Sequence, residues 1–99
     1  MSGDMRVSES IHQKLTQALA PERLEVVDES HLHAGHAGAR EGGESHFRLY
    51  VVSAKFEGLS RVARQRLVNS ALREELKGPI HALAMKTLTP GEARADAER

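Results

Sequence analysis

No cysteine occurs among the 99 residues. Disulfides, thiolate zinc sites and thiol nucleophiles are thereby excluded, and any soft metal must rest on histidine or carboxylate unless a partner brings the thiolates. Surplus charge of either sign is also absent: Lys plus Arg and Asp plus Glu are each 14, for a formal net charge of zero. Non-specific nucleic-acid binding depends on excess positive charge, so it is not expected to be the chain's main task, although a local basic patch is compatible with neutrality. No apolar run reaches the length of a membrane span, and the N-terminal stretch lacks the apolar centre of a signal peptide. A soluble, cytoplasmic protein is the expectation. Internal repeats are missing as well.

What is present is ordinary globular composition, with 39% hydrophobic and 28% charged residues. A chain of this length folds as one domain with one modest core. Residues 1–5 read as a flexible tail. From Arg6 to Ala20, the positions Ile11, Leu15, Ala18 and Leu19 recur at helical spacing and Pro21 ends the run. Leu24 to Asp28 is a short valine-rich strand. Residues 31–43 hold four glycines and no period, and so form a loop. A loop this long in so small a domain is often functional. Alternation of Phe47, Leu49 and Val51 with Arg48 and Tyr50 marks residues 45–53 as the clearest strand. A turn follows at Lys55–Gly58. Residues 60–76 are helical, with Ala63, Leu67, Val68, Ala71, Leu72 and Leu76 on the buried face, until Gly78-Pro79 stops them. Ile80 to Leu88 is a third strand, and Pro90 opens a short helix. The order α-β-β-α-β-α, with the second helical stretch divisible in two, predicts a two-layer α+β domain: a three-stranded mixed sheet with helices on one face.

Candidate chemistry centres on histidine. Of the six histidines, His31, His33, His36 and His46 lie in or beside the loop. Imidazole suits zinc, copper, iron and nickel, so this segment is a metal-site candidate. The same spacing also fits a polar loop with incidental histidines, and H-E-x-x-H is missing. His81 opens the third strand, where the residues alone equally suit a histidine held by a backbone hydrogen bond. Arg61, Arg64, Arg66 and Arg73 decorate the long helix, but on more than one face. Neither a phosphate-binding glycine loop nor a nucleophile–base pairing is visible, and Ser53 and Ser60 have no basis for a nucleophilic role. A binding protein rather than an enzyme is expected, with no small-molecule substrate.

Several colinear segments carry a family likeness. They are Val27-Asp28-Glu29-Ser30-His31-Leu32-His33, Glu44-Ser45-His46-Phe47, Val51-Val52-Ser53 running to Phe56-Glu57-Gly58, Arg64-Gln65-Arg66-Leu67-Val68-Asn69, Glu74-Glu75-Leu76, Ile80-His81-Ala82-Leu83 and Thr89-Pro90-Gly91-Glu92. Together they resemble the BolA family over residues 6–92, leaving 93–99 as a tail or the end of the short helix. The resemblance implies a class II KH-like fold. It further implies a monothiol glutaredoxin partner and a [2Fe–2S] cluster shared with it, the partner giving cysteine and glutathione while this chain gives histidine. Mixed Cys/His ligation is known cluster chemistry. By the resemblance the ligands here are His81 and His33, with His31 and His36 as rivals in the loop. The family's other role, DNA-binding transcriptional regulation, implies contacts from Lys55, Arg61, Arg64 and Arg66. The sequence lacks a G-x-x-G loop and has Gln65 where R-H-R is common in the family.

Overall fold

The computed structural model describes residues 6–29 and 46–97. Among them the order is α1 (Val7–Leu19), β1 (Arg23–Asp28), β2 (His46–Val52), a 3-10 turn (Ala54–Phe56), α2 (Arg61–Ala71), α3 (Arg73–Lys77), β3 (Ala82–Leu88) and α4 (Pro90–Ala97). The strands lie in the order β1-β2-β3, with β1 antiparallel and β3 parallel to β2. A parallel neighbour needs a crossover, and α2 with α3 supplies it. The expected mixed three-stranded α+β fold is the one observed.

β2 takes the centre because its side chains are the most apolar. Phe47, Leu49 and Val51 project together and are buried, while Arg48 between them is exposed. Onto this face pack Ile11, Leu15 and Leu19 of α1, Val68 of α2, and Phe56, Leu72 and Ile80 from the connections. Glu25, Arg48 and Lys86 are exposed on the other face. Each large side chain buried in this way contributes roughly 1.5–3 kcal/mol.

Helix ends follow from local side chains. The Glu9 carboxylate accepts the Arg6 backbone N–H (3.1 Å) at the start of α1. Ala20 closes that helix in the left-handed region (φ 43°), its N–H donating to the Thr16 carbonyl. Ser60 caps α2 by accepting the Ala63 N–H (3.1 Å). Thr89 and Glu92 cap α4 reciprocally: Thr89 Oγ1 accepts the Glu92 N–H (3.1 Å), and Glu92 Oε1 accepts the Thr89 N–H (2.9 Å). Pro90 between them occupies the first helical position, where no N–H is needed.

Two sequence expectations shift, the burial of Ala18 and Leu67 and the start of the third strand, while the division of the second helical stretch is observed. Ala18 is exposed and Leu67 is 39% exposed rather than buried. Each sits about 100° around its helix from the residue that reaches the core, Leu19 and Val68 respectively. The helical stretch over 60–76 is divided at Leu72 (φ −105°, ψ 20°) into α2 and α3, as the sequence allowed. The third strand starts at Ala82, leaving Ile80 and His81 in the approach to it.

Ser53 ties the layers together. It is fully buried, and its hydroxyl donates to the Leu19 carbonyl (2.7 Å) and accepts the Lys55 N–H (3.1 Å). Its own N–H donates to the Leu88 carbonyl (2.9 Å). One residue thus joins the end of α1, the 3-10 turn and the end of β3. Gly58, at φ +77°, then turns the chain towards α2 in a conformation that side chains resist.

Candidate metal-binding site

His81 follows a turn whose shape is fixed from the core side. The Glu75 carbonyl accepts N–H bonds from Gly78 (3.2 Å) and Ile80 (3.0 Å), and the Ile80 side chain is buried. The next residue, His81, is exposed. Behind the turn, the buried Glu75 carboxylate accepts Ser10 Oγ (2.6 Å) and pairs with Lys14 Nζ (2.8 Å), joining α3 to α1. Burial pushes this carboxyl's pKa up, but the Lys14 and Ser10 hydrogen bonds outweigh it and leave the pKa below the ordinary value.

Beside His81 stands His46, the first residue of β2. The parallel register places His46 opposite Ala82, and the His46 and His81 rings lie 6.2 Å apart between centroids at 60°. The His46 carbonyl accepts the Glu29 N–H (2.7 Å), so the two residues that flank positions 30–45 in the sequence are joined beside this pair. His31, His33 and His36 belong to that segment and lie outside the described residues. Sequence spacing groups His46 with the loop histidines and does not reveal its pairing with His81. Parallel pairing of the second and third strands was the signal that could have found it.

The four basic candidates do not form one surface. Lys55, Arg61 and Arg66 are exposed, but Arg66 lies about 140° around α2 from Arg61. Arg64 turns inward: its side chain is only 12% exposed. Its Nε donates to the Leu59 carbonyl (3.0 Å), Nη1 to the Thr87 carbonyl (3.0 Å) and to Glu92 Oε1 (2.7 Å), and Nη2 to Glu92 Oε2 (3.1 Å). The guanidinium also sits 5.9 Å from the Phe56 ring centre. Those bonds use four of its five N–H donors, so its geometry is that of a structural clamp. This clamp and the histidine pair occupy opposite ends of the strands, about 20 Å apart along β2.

The family model for BolA-like protein matches residues 15–92. The chain belongs to that family. It is 50% identical over 92 residues to the human BolA-like protein 1, covering 93% of this chain and 64% of that protein's length. It is 45% identical over 86 residues to a Vibrio cholerae protein named as the DNA-binding transcriptional regulator BolA, covering 87% of this chain and 77% of the relative. Among solved structures, the BolA domain of SufE1 from Arabidopsis thaliana superposes with a TM-score of 0.78 at 42% identity, covering 93% of this chain and 99% of that domain. The BolA-like fold therefore carries the histidine pair at one end of its sheet and the Arg64 clamp at the other. Among the described residues no helix is long and apolar enough to cross a membrane.

Proposed function

We propose that this BolA-like chain is a non-enzymatic adaptor that docks on a monothiol glutaredoxin and shares a [2Fe–2S] cluster with it as cargo. The reading rests above all on an exposed imidazole, His81, beside His46, the residue that follows the histidine-bearing positions 30–45 in the sequence, in a chain without cysteine. That donor set fits half of a mixed site: this chain offers neutral nitrogen ligands, and the partner's cysteine and bound glutathione supply the thiolates. His81 is the first ligand in this reading, and His33 the second, with His31 and His36 as alternatives. The firm turn before His81 suits ligation, because a ligand on fixed backbone loses less freedom when it binds. The chain's place in the cell in this reading is the cytoplasm.

The test is reconstitution of the chain with a monothiol glutaredoxin, glutathione, iron and sulfide, followed by visible circular dichroism. A heterodimer spectrum distinct from that of the glutaredoxin homodimer is expected, and His81→Ala should abolish the difference. A spectrum unmoved by His81→Ala overturns the ligand assignment. Because neutral imidazole must ligate, the spectrum should fade between about pH 8 and pH 5.5, and constancy there argues against histidine.

A second reading, DNA-binding regulation, is favoured by the name of the Vibrio cholerae relative. It would draw on Lys55, Arg61 and Arg66, with Arg64 supporting α2 rather than reaching phosphate. Affinity should then fall steeply with salt and with Arg61→Ala plus Arg66→Ala. Salt-insensitive or absent binding removes it.

A further inference from the structure

His46 and His81 are 35 residues apart in the chain and belong to no common motif. They meet because β2 and β3 run parallel with His46 opposite Ala82, which brings His81, the residue just before β3, beside the start of β2. We propose that the two imidazoles chelate one late first-row divalent cation, of the zinc, nickel or copper(II) class, held by this chain alone.

The distances favour it. A metal bound to a ring nitrogen lies about 3.2 Å from the ring centre, so two imidazoles on one tetrahedral ion sit about 5 Å apart centre to centre. The observed 6.2 Å needs only about 1 Å of approach, which small rotations about the side-chain torsions supply. The exposure of His81 leaves room for the waters that complete the shell. Imidazole prefers these cations over magnesium or calcium, which demand oxygen. Among the described residues no third histidine or carboxylate joins the pair; the nearby Glu29 carboxylate is taken by Arg48 Nε (2.8 Å). Two protein ligands on a rigid frame give a modest, exchangeable site rather than a permanent structural one.

This site needs no glutaredoxin, thiolate or sulfide, and holds whether or not the chain shares a cluster. One consequence does rest on the cluster reading: His81 serves both, so a bound cation and a shared cluster exclude each other.

The experiment is titration of the full chain with zinc sulfate, following imidazole resonances by NMR and affinity by calorimetry. The His46 and His81 signals should move together and saturate at one zinc per chain. His46→Ala and His81→Ala should each weaken binding by about tenfold or more, with circular dichroism confirming the fold. His12→Ala, on α1, and the triple variant His31→Ala/His33→Ala/His36→Ala should leave affinity unchanged. Zinc binding that survives His46→Ala, or that disappears in the triple variant, overturns the proposal; so does the absence of zinc binding to the unaltered chain. None of these readouts involves glutaredoxin, so failure here leaves the cluster reading to its own test.

Discussion

Arg64 and Glu92 are joined by a two-point fork, Nη1 to Oε1 at 2.7 Å and Nη2 to Oε2 at 3.1 Å. The same Glu92 oxygen that takes Nη1 also caps α4 through the Thr89 N–H. One carboxylate therefore fixes the start of α4 and anchors it to α2, while Nη1 also ties α2 to the Thr87 carbonyl of β3. The Thr89-Pro90-Gly91-Glu92 segment owes its geometry to this double use.

Removing the guanidinium should loosen all three elements together. Arg64→Ala deprives the part-buried Leu59 and Thr87 carbonyls of donors, for an expected loss of about 1–3 kcal/mol, while the exposed Glu92 carboxylate only returns to water. Arg64→Lys should recover only part of it, since an ammonium cannot reproduce the planar fork. Urea denaturation midpoints decide this, and an unshifted midpoint for Arg64→Ala would show that the clamp is idle.

Acid should destabilise the fold in a defined window. Hydrogen bonds from Arg64 and from the Thr89 backbone hold the Glu92 carboxyl at about 2, against an ordinary 4.5, and Glu75 is lowered as well. Groups with a depressed folded pKa stabilise fully above the unfolded value and lose that contribution as pH falls towards the folded one. Melting temperature should therefore drop as pH falls from 4.5 towards about 2, and more gently in Glu92→Gln, which starts lower at neutral pH. At neutral pH, Ser10→Ala should cost roughly 1–3 kcal/mol by removing a donor from the buried Glu75 carboxylate. Parallel pH–melting curves for wild type and Glu92→Gln would contradict the assignment.

Ser53→Ala should be costly for a change of one atom. The Leu19 carbonyl loses its buried 2.7 Å donor and the part-buried Lys55 N–H its acceptor. About 1–3 kcal/mol is expected. Equilibrium unfolding measures the loss, while zinc affinity at the far end of β2 should not change.

Two backbone positions should respond in opposite directions. Ala20 closes α1 at φ 43° and is exposed, so Ala20→Gly should stabilise by up to about 1 kcal/mol. Gly58 has φ +77° with open space where a Cβ would stand, so Gly58→Ala should lose roughly 1 kcal/mol through backbone strain alone. Thermal melts of the two variants should move apart, and a common direction would refute the conformational argument.

Much of the fold was legible in the chain. Alternation of Phe47, Leu49 and Val51 marked the central strand, the Ile11–Leu15–Leu19 spacing the first helix, and Gly78-Pro79 the end of the second helical stretch, because each pattern reports which side chains must leave water together. Leu67 and Ala18 were misplaced because a helical stripe is wider than the line of actual contact. Arg64 read as one more surface charge, since nothing local reveals that Glu92, 28 residues on, will meet it.

The sequence by itself determined the element order, the apolar face of β2, the Pro90 start of α4, and, through its lack of cysteine, that this chain offers a metal no thiolate of its own. These are properties of residue type and short spacing, which act before any tertiary contact forms. Only the tertiary structure decided that His46 stands beside His81, that Arg64 serves as a clamp, and that Ser53 joins three elements. Each of those relationships depends on which strands pair and in what register, and that choice is made by the packing of the whole core.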